Sequence, residues 1–121
     1  MKRVFLWGSA LALVWILAAG ATAHHRVIRG EAVYYANSYA GQTMACGGRY
    51  QPWKMVAAHR TLPCGTRLRV KNRSNGREVI VRVKDRGPYG EAILDLSRRA
   101  ARKLRYIRQG RTPVRAAILH N

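Results

Sequence analysis

The stretch TRLRVKNRSNGREVIVRVKD, from Thr66 to Asp85, decides the fold of this chain. Apolar residues alternate with charged ones on both sides of a central Asn75-Gly76 pair, which is the period of half-buried strands. Asn-Gly is also a strong signal for a two-residue hairpin turn. The side chains predicted to face inward are Leu68, Val70, Val79, Val81 and Val83. The stretch therefore predicts a β-hairpin with one apolar face.

Further short strands are predicted on both sides of this hairpin. They are Glu31 to Ala36, the apolar run Met55 to His59, Ala92 to Leu96, and a last strand opened by Pro113. Ser97 is a favourable helix N-cap, and an apolar stripe at helical spacing follows it as far as about Tyr106. Short strands with one small helix are typical of a compact β-barrel rather than of a helical nucleic-acid-binding module.

The first 23 residues have the pattern of a cleaved signal peptide. Lys2 and Arg3 precede an apolar run, and Ala21-Thr22-Ala23 has the small residues that a signal peptidase recognises. The run is shorter than the roughly 20 residues of a spanning helix, although an uncleaved membrane anchor is the alternative. No cysteine follows the run, so we expect an exported, periplasmic or extracellular protein that is not a lipoprotein. Residues 24–30 are expected to form a flexible arm, and residues 31–121 the folded domain.

The chain is strongly basic, with 23 lysines and arginines against five acidic residues and a formal net charge of +18. Such a charge implies an anionic partner. The basic residues are spread along the whole chain, so nucleic acid is not the expected partner, and an exported protein meets anionic cell-wall polymers instead. No metal-ligand cluster or phosphate-binding glycine loop appears in the sequence. We expect a monomer that needs no metal or other cofactor.

The two cysteines, Cys46 and Cys64, both lie in the part of the chain that is expected to be exported. Two thiols in an oxidising compartment most simply pair with each other. Closing a loop of about 18 residues would stabilise a small fold by roughly 3 kcal/mol in the chain-entropy model. Two unrelated buried thiols are the alternative.

Five acidic residues are the candidates for acid–base chemistry: Glu31, Glu78, Asp85, Glu91 and Asp95. The glutamates start a strand or lie beside turns, and electrostatics at the start of the predicted helix explain Asp95. Asp85 ends the alternating strand and precedes a Gly-Pro turn, where it is either a site residue or a turn former bonded to backbone amides. His59 ends the run MVAAH, where a structural role is the alternative to a catalytic one.

Three blocks of the sequence, in this order, resemble a known family. They are AAHRTLPCGTRLRVKNRSNG, VIVRVKDRGPYG and ILDLSRRAARKL, and the resemblance extends from about Val33 to Leu119. In these blocks the chain resembles the rare lipoprotein A (RlpA) family of septal-ring lytic transglycosylases. The resemblance implies a mainly β fold, a six-stranded double-psi β-barrel with one or two short helices, shared with expansins and barwin-like proteins. It also implies activity on bacterial peptidoglycan, with a preference for glycan strands stripped of their peptides.

The resemblance carries the family's site residues onto this chain one position at a time. The aspartate of its DRGP block matches Asp85 and the histidine of its AAH block matches His59, so both are expected to be catalytic. The family's glutamate falls on Gly48, within MACGGRY, and is absent here. Cys46 and the cysteine of LPCGT are similar to the paired cysteines of expansin-related barrels. The residues expected to contact the substrate are Tyr34, Tyr50, Arg86 and Tyr89.

One carboxylate can be enough for the implied reaction. Hydrolysis of a glycosidic bond normally uses two, whereas in a lytic transglycosylase the 6-hydroxyl of muramic acid attacks its own anomeric carbon. One group can then protonate the leaving oxygen and accept the hydroxyl proton. We therefore expect an endolytic transglycosylase that forms 1,6-anhydromuramic ends in cell-wall remodelling, with Asp85 as acid and base and His59 assisting. The alternative, favoured by Gly48, is a non-cleaving, expansin-like barrel that binds wall glycan.

Overall fold

The computed structural model describes residues 25–119 of the chain. The expected signal peptide, residues 1–23, and the first residue of the expected arm lie outside the described residues. The strands are β1 Val27–Tyr34, β2 Val56–Ala58, β3 Arg67–Asn72, β4 Glu78–Asp85, β5 Leu94–Leu96 and β6 Thr112–Leu119. The α-helix, α1, is Arg98–Leu104, and a single turn of 3-10 helix, Asn37–Tyr39, follows β1.

The six strands close into a barrel with the order β1-β5-β2-β4-β3-β6. Two neighbouring pairs, β1 with β5 and β2 with β4, are parallel, and the other four pairs are antiparallel. Strands β2 and β5 have three residues each and lie side by side between the longer strands β1 and β4. The predicted fold class, a mainly β chain forming a six-stranded barrel with a short helix, is confirmed.

The β3–β4 hairpin agrees with its predicted alternation, and every side chain predicted to face inward is buried. The turn is longer than the two residues predicted, because Asn72 N–H donates to the carbonyl of Arg77 and four residues lie between them. The buried Asn72 side chain explains the difference. Its amide donates to the carbonyl of Leu104, and its Oδ1 accepts from Ser74 N–H. The turn therefore opens before Asn75-Gly76 is reached.

Strand β1 begins earlier than the sequence suggested. Val27 pairs with Ala117 of β6, and the ladder continues to Ala32. Residues 27–30 of the expected flexible arm therefore belong to the barrel wall. Gly30 weakens the apolar pattern of this stretch, and it is required because a Cβ there would lie 2.7 Å from the side chain of Ile93. That contact joins residues distant in the chain, so no local pattern could reveal it.

Helix α1 packs its apolar face into the barrel core. The hydroxyl of Ser97 accepts from Ala100 N–H, as predicted for an N-cap. The helix ends at Leu104 rather than near Tyr106, because Arg105 adopts a left-handed conformation with φ of 59°. The buried residues of α1 are Ala100, Ala101 and Leu104. Within residues 25–119, no helix has the length and apolar character that crossing a bilayer requires.

A disulfide bond joins Cys46 to Cys64, as predicted, with their Cα atoms 5.8 Å apart. It connects the loop before β2 to the loop before β3, and both loops also bond to β4. Cys46 N–H donates to the carbonyl of Lys84, and the N–H of the residue after Cys64 donates to the carbonyl of Val83. The covalent link therefore lies beside the C-terminal end of β4, which is Asp85.

Removing this disulfide should lower the free energy of unfolding by about 3 kcal/mol, because it closes a loop with a sequence separation of 18 residues. The variant is the double substitution Cys46→Ser with Cys64→Ser, and the measurement is urea unfolding followed by circular dichroism. The wild type in reducing agent is the matched control and should lose the same amount. An unchanged free energy of unfolding would show that the hydrogen bonds to β4 hold both loops without the covalent link.

Candidate active site

A pocket lies at the end of the barrel where the chain leaves β1 and β4. Its residues come from the segment after β1, from β5, and from the turn that follows β4. The residues that line it are Tyr35, Tyr39, Asp85, Arg86, Gly87, Pro88, Tyr89 and Asp95. Two of the five acidic residues of the chain, Asp85 and Asp95, are therefore brought together here.

The two aspartates are held on either side of one small residue. Ala58 of β2 is paired with Asp85 of β4 on one side and with Asp95 of β5 on the other. Neighbouring strands lie about 4.8 Å apart, so the two aspartate Cα atoms are separated by roughly 10 Å. The backbone pairing therefore brings the side chains of Asp85 and Asp95 to the same pocket.

The Asp85 carboxylate accepts hydrogen bonds from three donors. Its Oδ2 accepts from the Tyr35 hydroxyl at 2.6 Å, and its Oδ1 accepts from the N–H groups of Ala45 and Arg86 at 2.8 and 2.9 Å. A carboxylate anion is an acceptor only, so three donors suit the ionised form and fix its orientation. Only the bond from the Arg86 N–H joins Asp85 to a neighbour in the sequence, as expected if Asp85 merely stabilises a turn. The other two bonds come from distant segments and favour a site residue.

Asp95 has a different environment. It lies half-buried on β5, and its Oδ1 is buried without a hydrogen-bond partner among the described residues. Burial and, secondly, the charge of Asp85 raise the pKa of Asp95 to about 6. A carboxyl group with such a pKa is protonated for part of the time near neutral pH and can donate a proton. The interpretation of Asp95 as a helix-end charge is therefore incomplete, because it faces the same pocket as Asp85.

His59 follows β2 and is not among the residues that line the pocket. Its ring Nδ1 accepts from the N–H groups of Thr61 and Leu62, and burial, followed by the charges of nearby arginines, lowers its pKa. Both effects favour the neutral ring. Its backbone N–H donates to the backbone carbonyl of Asp85. The contacts give His59 a part in shaping the loop beside Asp85, and its catalytic role stays a prediction.

Arg86 and Tyr89, both predicted to contact the substrate, are in the wall of the pocket. The Arg86 guanidinium donates to the carbonyls of His59 and Leu62 at 3.2 and 2.7 Å, so it braces the loop after β2. Tyr89 follows the cis-proline Pro88, and 82% of its surface is exposed. Tyr89 therefore presents an open aromatic face beside the aspartates, whereas the guanidinium of Arg86 is already engaged by the protein.

The tyrosine that contacts Asp85 is Tyr35. Tyr34 does not line the pocket, and its predicted substrate contact stays a prediction, whereas the prediction for Tyr50 needs correction. Strand alternation turns Tyr34 to the other face, where its hydroxyl donates to the carbonyl of Ile107. Tyr50 is 1% exposed and stacks on Tyr35, with ring centroids 4.2 Å apart. A buried ring cannot contact a polysaccharide directly. Tyr50 instead supports Tyr35 from behind.

The loop that carries Gly48 reaches the pocket through its backbone. Met44 N–H donates to the carbonyl of Gly48 at 2.8 Å and closes a tight turn, in which Gly48 has a φ of 78°. Glycine tolerates this conformation, whereas a glutamate there would be strained. The N–H of Ala45, from the same turn, is the group that bonds the Asp85 carboxylate. The loop therefore contributes the Ala45 N–H group to the site, and Gly48 contributes no side chain.

Sequence reasoning missed Asp95 and Tyr35 as site residues. A signal for Asp95 exists in its own strand, because Leu94 and Leu96 are both buried and alternation points Asp95 to the opposite face. The sequence could not show that Asp95 lies near Asp85, because β4 and β5 are brought together only by their shared pairing with β2. Within residues 25–119, no group of three or more His, Cys, Asp or Glu side chains is placed to hold a metal ion.

A family model and a curated relative both place the chain in one protein family. A family model described as lytic transglycolase matches residues 27–116. A relative from Aquifex aeolicus (strain VF5), named probable endolytic peptidoglycan transglycosylase RlpA, is 50% identical over 95 residues, which are 78% of this chain and 42% of that protein. The chain therefore spans less than half the length of this relative.

Solved structures of similar fold include an expansin and a papain inhibitor. The apo expansin of Clavibacter michiganensis has a TM-score of 0.64 and 27% identity, over 79% of this chain and 52% of that one. The Streptomyces papain inhibitor has a TM-score of 0.64 and 24% identity, over 78% of this chain and 96% of that one. The same barrel fold therefore occurs in proteins with different names, and the function of this chain must be argued from its pocket.

The pKa of Asp95 can be measured directly by carbon NMR of the side-chain carboxyl groups between pH 3 and pH 8. We expect a value of about 6 in the wild type. In Asp85→Asn the pKa should fall, because the neighbouring charge is removed, but stay above the ordinary 3.8, because burial is the larger cause.

The matched control for this titration is Glu78→Gln, which removes an exposed carboxylate from the start of β4 and should leave the pKa of Asp95 unchanged. An ordinary pKa for Asp95 in the wild type would mean that it is ionised at neutral pH. The assignment of Asp95 as a proton donor would then be wrong.

Proposed function

This chain belongs to the RlpA-like family of lytic transglycolases, and from that membership we propose that it is an endolytic peptidoglycan transglycosylase. The observation that carries the proposal is the pair of carboxyl groups on either side of Ala58. Asp85 is surrounded by hydrogen-bond donors, and the buried oxygen of Asp95 has none among the described residues. Two titratable groups in such different environments are the usual basis of separate acid and base roles.

In the proposed mechanism Asp95 is the general acid and Asp85 is the general base. The raised pKa of Asp95 keeps a proton available for the leaving group. Three donors hold the Asp85 carboxylate as an oriented acceptor. This division of roles replaces the expectation that Asp85 performs both, since the pocket contains a second carboxyl group.

The reaction needs no water molecule as a reactant. The C6 hydroxyl oxygen of a muramic acid residue attacks C1 of the same ring, so the O6–C1 bond forms as the glycosidic C1–O4 bond breaks. Asp85 takes the proton of the hydroxyl group, and Asp95 gives its proton to the leaving O4. The proton on Asp85 then returns to Asp95 through solvent before the next turnover. The products are a 1,6-anhydromuramic end and a new chain end with a free 4-hydroxyl.

We propose that Tyr35, Arg86 and His59 are positioning residues for Asp85. The Tyr35 hydroxyl holds Oδ2, and the Tyr35 ring is itself stacked on Tyr50. The Arg86 side chain and the His59 backbone join the loop after β2 to the end of β4. Preorganised groups of this kind lower the cost of orienting the reactive carboxylate during catalysis.

The substrate proposed for the pocket is a glycan strand of the bacterial cell wall. Tyr39 and Tyr89 are both exposed and offer flat aromatic faces for sugar rings. The net charge of +18 attracts anionic wall polymers, an effect that salt weakens. An exported protein would meet this substrate. Removal of residues 1–23 as a signal peptide, the absence of a lipid anchor and the monomeric state stay predictions.

A second candidate function is binding to wall glycan without cleavage. Gly48 favours it, because the family's glutamate is absent from the loop beside Asp85. In that case Asp85 and Tyr89 would contact sugar without breaking a bond. Asp95 supports the enzymatic proposal over this one, because it supplies a second carboxyl group to the same pocket.

The cleavage proposal predicts a defined product from peptide-free glycan strands. Mass spectrometry after incubation with the protein should detect 1,6-anhydromuramic ends. Asp85→Asn and Asp95→Asn should each lower the rate at least about 100-fold, which is the lower range for loss of a general acid or base. Glu78→Gln is the control for removal of a carboxylate outside the pocket and should change the rate less than about twofold.

Two outcomes would redirect the assignment. Binding without product from the wild type would support the wall-binding alternative. A wild-type rate from Asp95→Asn, together with an inactive Asp85→Asn, would show that Asp85 acts as both acid and base.

The pH dependence of the rate should report the proton on Asp95. Its pKa is raised to about 6, and the acid must be protonated, so kcat/KM should fall as the pH rises through about 6. The fall should be about 50-fold between pH 6 and pH 8 for a single titrating acid. Asp95→Asn should flatten this limb of the profile. A wild-type rate that is constant from pH 6 to pH 8 would contradict the role of Asp95.

A further inference from the structure

A second pocket adjoins the same 3-10 turn as the active-site pocket. This pocket, called here the arginine pocket, is lined by Asn37, Pro52, Trp53, Arg98, Arg99 and Arg102. The turn Asn37–Tyr39 connects the two pockets, since Asn37 lines the arginine pocket and Tyr39 lines the active-site pocket. A linear polymer that crosses this turn could contact both.

Trp53 is the aromatic element of the arginine pocket. It is 61% exposed, which leaves a large apolar ring in contact with solvent. Its loop is nevertheless anchored to the start of α1, because Arg99 N–H donates to the carbonyl of Pro52 and Arg99 Nη1 donates to the carbonyl of Trp53. A ring held on an anchored backbone loses little conformational freedom when it binds a ligand. The arrangement suits a stacking platform.

The arginines of the pocket concentrate positive charge without an acidic partner in the described part of the chain. The one ion pair found within residues 25–119 joins Arg111 to Glu31, outside this pocket. The guanidinium of Arg102 makes no hydrogen bond to any described residue, while that of Arg98 lies over the ring of Tyr34 at 5.6 Å. Arg102 is thus the cation that is most available to a ligand.

The spacing of these arginines is unfavourable for the helix by itself. Arg102 follows Arg98 by four positions and Arg99 by three, so the three side chains share one side of α1. Like charges at these spacings destabilise a helix by about 0.2 to 0.5 kcal/mol per pair. A bound anion would relieve this repulsion. The charge pattern therefore points to an anionic ligand, and the exposed ring points to a ligand with a flat face.

We propose that the arginine pocket is a subsite for a carboxylate-bearing sugar, with the sugar ring against Trp53 and its carboxylate paired with Arg102. The inference rests on the proposed function in taking the sugar from a wall glycan strand. In such a strand the lactyl group of muramic acid has a free carboxylate only when no peptide is attached, because peptide attachment converts it into an amide. Trp53 and Arg102 would therefore be the residues that determine the preference for peptide-free strands that the family resemblance implies.

The test measures binding with the catalytic step removed. The dissociation constant of the Asp85→Asn protein is determined by calorimetry at 0.15 M salt for two ligands, peptide-free strands and the same strands with the lactyl carboxylates converted to amides. Amidation should weaken binding about tenfold, equivalent to about 1.4 kcal/mol. Adding Arg102→Gln should weaken binding to native strands by a similar factor and should have no further effect on amidated strands.

Two further variants separate stacking and general charge from the proposed pairing. Trp53→Ala should weaken binding to native and amidated strands alike, because it removes the platform and not the charge. Arg108→Gln removes an exposed positive charge outside the pocket and should change each constant less than twofold. All four outcomes together would support a subsite that contains both a ring and a carboxylate partner.

Several results would overturn the subsite. They are an equal loss in Arg108→Gln and Arg102→Gln, a lack of effect of amidation, or tighter binding of a single-stranded oligonucleotide that depends on Trp53. The last result would indicate a nucleic-acid site instead. The assay for anhydromuramic ends is run on the protein with intact Asp85. If no product forms but the binding pattern is as expected, cleavage is refuted and the subsite stands. If product forms normally but Arg102→Gln has no effect on binding, the subsite is refuted and cleavage stands.

Discussion

The position of the candidate active site depends on one irregularity in the pairing of β2 with β4. The register shifts between Ala57 and Ala58, so that Ala58 is paired with Asp85 rather than with Lys84. A shift of one residue turns the opposite face of a strand toward a given neighbour. The bulge therefore places a carboxylate, and not an ammonium group, across Ala58 from Asp95. Both proposed catalytic roles follow from this local change in register.

The bulge is stabilised by the loop that the disulfide holds. A β-bulge leaves backbone groups outside the ladder, and such groups need partners when they are buried. The carbonyl of the bulged Lys84 accepts from Cys46 N–H, and the neighbouring N–H, that of Ala45, donates to the Asp85 carboxylate. Because Cys46 is bonded to Cys64, the same covalent link supports the irregular backbone and the orientation of the reactive side chain. Structural stability and site geometry are therefore coupled.

Much of the barrel, but only half of the carboxylate pair, could be predicted from the sequence. The β3–β4 hairpin follows from alternation, which is a local property, and Asp85 stands out because it ends that alternation. Asp95 could not be matched with Asp85, because β5 and β4 meet only through pairing with β2. The choice between Tyr34 and Tyr35 needed the phase of β1, which alternation leaves open when two tyrosines are adjacent. Local patterns give the elements, and pairing between distant strands gives the site.

The raised pKa of Asp95 contrasts with the overall charge, since a chain with a net charge of +18 should favour ionised carboxyl groups. The two effects act over different distances. Exposed cations are screened beyond about 8 Å at physiological salt, whereas burial and the charge of Asp85 in the same pocket act at short range and raise the pKa of Asp95. The nearest pocket cation, Arg86, has its guanidinium bonded to the carbonyls of the loop after β2. The barrel can therefore attract an anionic polymer from a distance and still keep an acid in its pocket.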